Sequence, residues 1–306
     1  MSKIAIIDIG TNTFHLMIVD LEDDNKVLHK EKVAVRLGKN GISNNKIMPD
    51  AQERALKTLH HFKKIADSFQ VTTIKATATS AVRNADNGKA FVKFIKEQSG
   101  IAIQVISGIQ EAHYIYRGVK QALPISSETS LIMDIGGGSV EFIICNNEEI
   151  LWLHSFEIGA QRLLDKFHKH DPIEKEDIKS LHNFLELELK PLIEQTKKYK
   201  PTKFIGASGT FDTLIDITYA SQGLKKENAA TYKLTRDAFN KIYLQLIKMN
   251  KAERLAIEGM SEMRVDMIVV ASCLLDFIIT KNNFSTIHVS TYALKEGVLS
   301  EILEKV

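Results

Sequence analysis

The sequence predicts an α/β protein of two domains. Three observations lead there: the length of the chain, its alternation of strand and helix patterns, and one glycine-bearing hairpin that occurs twice. At 306 residues there is room for two cores, and 44% hydrophobic with 25% charged residues is ordinary for a globular protein. The repeated stretch is the more informative. Ile6-Ile-Asp-Ile-Gly-Thr-Asn-Thr-Phe-His-Leu-Met-Ile-Val19 and Leu131-Ile-Met-Asp-Ile-Gly-Gly-Gly-Ser-Val-Glu-Phe-Ile-Ile144 both read as strand, Asp-Ile-Gly, small polar turn, strand. Placing Asp8 on Asp134 sets Gly10 on Gly136, Asn12 on Gly138 and Thr13 on Ser139. The copies stand too far apart for a short-period solenoid, so each opens its own half of the chain.

The turn residues suggest chemistry. Gly136, Gly137 and Gly138 tolerate positive φ, which would let their amides converge into an anion nest, with the Ser139 hydroxyl as a further donor. Asp134 leaves the first strand where it can hold a hard cation such as Mg²⁺ beside that anion. Glu141 alternates with Val140 and Phe142 and is expected to point away from the core, into a cleft. A plain hairpin also favours glycine, but it does not need an acid on both sides. Two such hairpins could grip one polyphosphate from opposite sides.

In chain order, Lys26 to Leu37 alternates in strand fashion, and a helix is expected over Asp50 to Phe69 with Asp50 as its cap. Val71 to Ala76 reads as a strand that runs into a small polar loop, Thr77 to Asn87, carrying Arg83. A guanidinium there suits bidentate contact with phosphate oxygens, and its plainer role is a surface salt bridge. After a helix at Gly88 to Ser99 and a strand at Ile101 to Ile106, Ser107 can cap a helix with Glu111 near its first turn. Glu111 reads either as an acid favoured by the helix dipole or as a general base that polarises water. Pro124 and the second hairpin put a domain boundary near Leu123–Ser127.

The second half continues with a strand pair through Phe156 and a helix from Ile158, where Gly159 and Arg162 come near the ligand. A long helix over Ile173 to Lys198 should kink or divide at Pro191. Phe204-Ile-Gly-Ala-Ser-Gly-Thr-Phe-Asp-Thr-Leu214 is a third small-residue loop between strand and helix, an anion or ribose site through Gly209 and Thr210. Helices are expected over Thr235–Met249, Lys251–Ile257 and Ser261–Thr280, with Arg264 and Asp266 near a turn. A strand over Thr286–Ser290 and a helix from Ala293 close the chain.

Composition narrows the function. A net charge of +2 gives no field for nucleic acid or a membrane surface. The longest apolar run, Met267 to Thr280, is broken by Asp276 and is short of a membrane span, and no basic-then-apolar leader precedes the first strand, so a cytoplasmic location is expected. Cys145 and Cys273 lie in apolar runs and read as core residues. The histidines show no zinc-site spacing.

Taken together, the paired Asp-Ile-Gly hairpins and the Gly-Ala-Ser-Gly-Thr loop resemble the acetate/sugar kinase–actin superfamily. That resemblance implies two ribonuclease-H-like domains facing each other across a phosphate-binding cleft. The chain is more closely similar to the exopolyphosphatase/guanosine pentaphosphate phosphohydrolase (Ppx/GppA) family. The shared blocks are Asp-Ile-Gly-Thr-Asn-Thr-Phe (8–14), Thr-Ser-Ala-Val-Arg-Asn-Ala (79–85), Ser-Gly-Ile-Gln-Glu-Ala (107–112), Asp-Ile-Gly-Gly-Gly-Ser (134–139) with Glu141, Gly-Ala-Ser-Gly-Thr (206–210) and Arg264/Asp266.

The resemblance implies release of terminal phosphate from polyphosphate or guanosine pentaphosphate. Glu111 would be the catalytic base, aided by Glu141. Asn12, Thr13, Arg83, Gly136, Gly137, Gly138, Ser139, Gly209 and Thr210 would bind phosphate, and Asp8, Asp134 and Glu141 would hold Mg²⁺, with K⁺ as a candidate monovalent cation. It further implies domains at 1–124 and 125–292, a last helix (293–306) packed on the first domain, and a homodimer.

Some positions depart from the family pattern. Thr11 and Thr13 stand where serines are usual, His15 lies where an arginine is frequent, and Tyr292-Ala-Leu-Lys-Glu-Gly297 replaces a Gly-Leu-Arg-Glu-Gly run. The chain also ends without the C-terminal helical domains of the long members, so short polyphosphate or a nucleotide is the expected substrate. Two other readings remain: a sensor that binds guanosine tetra- or pentaphosphate without turnover, and a small-molecule kinase of the same superfamily.

Overall fold

The computed structural model describes residues 3–305, which group into two compact units. One comprises the chain up to Glu111 with the segment from Val298 on, and the other is Ala112–Gly297. The first unit contains β1 (Lys3–Ile9), β2 (Thr13–Asp20), β3 (Lys26–Ala34), α1 (Pro49–Ser68), β4 (Thr73–Ala78), α2 (Ser80–Arg83), α3 (Gly88–Ser99), β5 (Ile103–Val105) and the start of α4 (Gly108–Ala122). Its strands lie in the order β3-β2-β1-β4-β5, with β2 antiparallel to both neighbours and β4 and β5 parallel to β1. Burial does not alternate along β1. Ile4, Ala5, Ile6 and Ile7 are all buried, as its near-continuous apolar run requires of a strand covered on both faces.

The second unit contains β6 (Ser130–Ile135), β7 (Val140–Cys145), β8 (Ile150–Phe156), α5 (Ala160–Phe167), α6 (Lys175–Glu188), α7 (Lys190–Tyr199), β9 (Lys203–Ala207), α8 (Gly209–Ser221), β10 (Thr231–Thr235), α9 (Arg236–Leu246), α10 (Lys251–Leu255), α11 (Ile268–Asn282) and β11 (Thr286–Ser290). It also holds the first turn of α12 (Leu294–Leu303). The sheet order is β10-β11-β9-β6-β7-β8. Taken from β8, the run β8-β7-β6-β9-β11 reproduces the order and directions of the first sheet, with β10 added antiparallel at the edge. The repeat is therefore a whole ribonuclease-H-like sheet and not the hairpin alone.

Several boundaries differ from expectation for local reasons. α1 starts one residue earlier, with Pro49 in its first turn and Met48 before it, and Asp50 pairs with Arg54 instead of capping. The stretch after β4 coils into α2 where a loop was expected. Pro191 divides its helix as anticipated, into α6 and α7 about Leu189. α11 begins at Ile268 and not Ser261, because residues 261–267 are held as turns. Arg254 donates from Nε to the Val265 carbonyl at 3.1 Å, and Lys251 pairs with Asp266 at 2.9 Å. β10 was not anticipated; its alternating Tyr232 and Leu234 are buried against β11.

Candidate active site

The two turns share one construction. The Gly10 amide donates to the Thr13 carbonyl at 3.1 Å, and the Gly136 amide to the Ser139 carbonyl at 3.0 Å. A Cβ on either glycine would lie 2.9 Å from that same oxygen. Positive φ was the expected reason for Gly136, Gly137 and Gly138, but among the described glycines only Gly100, Gly223 and Gly259 adopt it. The requirement is close approach. Gly159, at the start of α5, comes so near that its Cβ would be 2.4 Å from the Gly137 and Gly138 backbone.

That approach fixes where the amides point. The Gly136, Gly137 and Gly138 carbonyls accept from the amides of Ala160 (2.9 Å), Gln161 (2.9 Å) and Gly159 (3.1 Å), and Arg162 Nε adds a bond to Gly138 at 3.0 Å. In the first unit the Thr11 and Asn12 carbonyls accept from the amides of Gly38 (2.9 Å) and Arg36 (2.8 Å). In a planar trans peptide the carbonyl and the following N–H point in opposite directions. The amides of Gly137, Gly138 and Ser139 therefore face away from α5, and those of Asn12 and Thr13 away from the 36–38 loop. Each turn presents a small nest of donors to an anion.

The first unit adds an ion pair. Arg83, at the end of α2, donates to the Glu111 carboxylate at 2.8 Å and to the Ile106 carbonyl at 3.2 Å. Both side chains are largely buried, 15% and 9% exposed. α2 is locked in place by Gly88, whose Cβ would meet the Val82 carbonyl at 2.2 Å. Ser107 caps α4 as expected, accepting from the Gln110 amide at 3.1 Å, and so sets Glu111 in the first turn. The surface salt bridge considered for Arg83 is thus a buried one, and it gives both residues a fixed orientation.

The second unit gathers acids and one buried base. Asp134 and Glu141 are directly opposed on β6 and β7, so their side chains share a face. Both are buried, 5% and 1% exposed. Asp134 accepts from the Ser208 hydroxyl at 2.8 Å, and Glu141 from the Ser155 hydroxyl at 2.6 Å. Burial pushes the Asp134 carboxyl up to about 6, against the pull of the Ser208 bond and the nearby Arg264 and Lys295 charges. Arg264 is 8% exposed and lies against Gly209, where a Cβ would be 2.1 Å from its Nη2. Burial holds its pKa below the usual arginine value, opposed by the charges of Asp212 and Asp134.

Asp8, the first turn, Arg83 and Glu111 lie at or follow the carboxyl ends of the parallel strands β1, β4 and β5, and Asp134, the second turn and Gly209 lie at or follow those of β6 and β9. That edge of an open α/β sheet is where ligands bind. Within the first unit the turn of Asn12 and Thr13, half-buried Asp8, Arg83 and Glu111 come to this edge. Within the second, Asp134, Glu141, the Gly136–Ser139 loop and Gly209 do so, while Thr210 is buried at 1% exposure in the first turn of α8. Among the described residues no three His, Cys, Asp or Glu side chains assemble as a metal site. Within the second unit Asp134 and Glu141 are hard oxygen donors suited to Mg²⁺, an ion that takes one or two carboxylates and completes its shell with water and phosphate; Asp8 is a donor of the same type within the first.

Sequence reasoning missed Ser208 and Ser155, the partners of the two acids, and gave Arg264 no role. Ser208 sits inside the Gly-Ala-Ser-Gly-Thr loop, between residues that were singled out. Its signal is a hydroxyl at the end of a strand beside the strand that carries Asp134.

The chain resembles known proteins in sequence and fold. Residues 17–306 match the sequence profile of the Ppx/GppA phosphatase family. The chain is 26% identical to exopolyphosphatase 1 of Mycobacterium tuberculosis, over 99% of this chain and 88% of that one. It is 28% identical to a guanosine-5'-triphosphate,3'-diphosphate pyrophosphatase of Photobacterium profundum, over 98% of this chain but 59% of the relative. Among solved structures, an exopolyphosphatase from Cytophaga hutchinsonii superposes with a TM-score of 0.97 at 46% identity, covering 100% of this chain and 99% of that one. The Aquifex aeolicus Ppx/GppA member gives 0.81 at 27% identity, with 99% and 98% covered.

Proposed function

The chain belongs to the Ppx/GppA phosphatase family, and on that footing we propose that it is a phosphoanhydride hydrolase releasing terminal phosphate from inorganic polyphosphate or guanosine pentaphosphate. The observation that carries this reading is the buried Arg83–Glu111 pair, set at the same sheet edge as an amide nest. Phosphoryl transfer asks little covalent chemistry of a protein; it needs charge neutralisation and an in-line nucleophile. In the first unit the Asn12–Thr13 amides and Arg83 bind and orient phosphate oxygens, and in the second the Gly137–Ser139 amides do the same. Glu111 accepts a proton from water, and its bond to Arg83 keeps the carboxylate from rotating away. Such general-base help is worth roughly 10²–10⁴ in rate.

Mg²⁺ fits the donor types of Asp134, Glu141 and Asp8, and when bound it would supply positive charge to the phosphate oxygens. Asp134 itself is a buried carboxyl pushed up to about 6 by burial, and a bound cation would favour its ionised form. K⁺ is a second candidate cation, and a homodimer in the cytoplasm completes the reading; no helix among the described residues is long and apolar enough to cross a membrane.

The test is phosphate release from purified protein with Mg²⁺, offered medium-length polyphosphate and guanosine pentaphosphate in parallel. Release identifies the hydrolase, and the preferred substrate names its specificity. Saturable binding of guanosine tetra- or pentaphosphate with no release from either substrate would instead make the protein a sensor.

A further inference from the structure

Nine non-glycine residues among those described have positive φ, and most are Asp or Asn, the types that tolerate it: Asp24, Asn25, Asn40, Asn45 and Asn283. Gln70 and Lys200 follow the ends of α1 and α7, where a left-handed residue commonly stops a helix. Two fall in neither group. Ser208 uses its strained backbone (φ 74°) to place a hydroxyl on Asp134. The other is Arg36, at φ 52° and at no helix end.

Arg36 is built into the first turn. Its amide donates to the Asn12 carbonyl at 2.8 Å, so its Cα is fixed beside the phosphate nest. Its own carbonyl accepts from Arg54 Nη2 at 3.1 Å, and Arg54 Nε binds the preceding Val35 carbonyl at 2.8 Å. Arg54 also takes the Asp50 carboxylate, at 2.5 Å. The loop is therefore held through backbone bonds that any residue at position 36 could make, while the half-buried Arg36 side chain makes no hydrogen bond or ion pair with a described residue. If the loop needed only a left-handed backbone, glycine or asparagine would supply it with less strain. An arginine kept there in spite of that strain, its backbone pinned to the carbonyl side of the turn and its long guanidinium arm left without a partner among the described residues, is a group awaiting an anion.

We infer that Arg36 binds a phosphate of the substrate beside the Asn12–Thr13 turn, forming a subsite for a polyphosphate-type chain. The inference rests on the phosphoanhydride reading above and extends its binding surface by a residue that the sequence motifs did not single out.

The test compares wild type with Arg36→Asn and Arg36→Lys in three readouts: melting without ligand, Kd for inorganic tripolyphosphate, and KM and kcat for phosphate release. Arg36→Asn should melt at or above the wild-type Tm, because the left-handed backbone is relieved. Its Kd and KM should rise roughly 10- to 100-fold, the worth of a charge-assisted bond, with kcat at saturation little changed. Arg36→Lys should fall between, keeping the charge and losing the fork. An unchanged Kd in Arg36→Asn overturns the inference, and so does a lowered Tm, which would make the side chain structural. A wild type that binds tripolyphosphate but releases no phosphate sinks the hydrolase reading alone, because Kd still judges Arg36. A wild type that binds none removes both.

Discussion

Asp134→Asn should make the protein more stable at neutral pH while disabling its site. Burial raises the Asp134 carboxyl from an ordinary 3.8 to about 6. Because the folded value is the higher, folded and unfolded chains are both protonated at this group below pH 3.8, and no penalty exists there. As pH rises towards 6 the unfolded chain ionises first and stability is lost; above about 6 the loss is complete. About two pH units at about 1.4 kcal/mol each gives roughly 3 kcal/mol. Asparagine keeps an acceptor for Ser208 and cannot ionise, but it deprives buried Arg264 of one compensating charge, leaving Asp212. The expected gain at about pH 8 is thus about 1–3 kcal/mol, shrinking below about 1 kcal/mol by about pH 4. Urea unfolding of both proteins at the two pH values, in chelator, measures it. An Asn variant that is less stable at the higher pH, or whose gain is the same at both, refutes the reasoning that burial outweighs the neighbouring charges at this carboxyl.

Other expectations follow from the same geometry. Ser208→Gly should relieve the φ 74° strain and lose the bond to Asp134, lowering activity without lowering Tm, whereas Ser208→Ala loses the bond and keeps the strain; melting and phosphate-release assays separate the two. Gly159→Ala places a Cβ 2.4 Å from the Gly137 and Gly138 backbone, so the second nest must open, and KM should rise at least about tenfold even if the variant folds. Arg83→Ala leaves buried Glu111 without its partner, and kcat and KM should both worsen, while Arg83→Lys should keep part of the binding but lose the orientation of Glu111. Wild-type kinetics in Arg83→Ala would exclude both roles.

The parts of this molecule legible in its sequence are those set by contacts near in the chain. The duplicated Asp-Ile-Gly turn announces two halves, and Ser107 marks the start of α4 and hence the place of Glu111, because capping and turn chemistry act within a few residues. Pro191 divides its helix for the same reason. What the sequence hides depends on partners far along the chain. Position 159 is glycine because the Gly137–Gly138 backbone lies 2.4 Å from where its Cβ would stand, a contact invisible in the sequence around Gly159. Arg264 comes to Gly209 on turns held by Arg254, whose guanidinium also binds Asp171 at 2.6 Å, so no window of sequence contains the cause. The left-handed backbones of Arg36 and Ser208 leave no compositional mark, since neither residue type advertises positive φ.

In the proposed reaction Glu111 is the group that activates water. Glu111→Gln keeps the side chain's size and an oxygen for Arg83 but removes its basicity. Phosphate release at saturating substrate with Mg²⁺ should fall by roughly 10²–10⁴ while tripolyphosphate binding stays close to wild type. A variant that turns over at the wild-type rate would contradict the central claim.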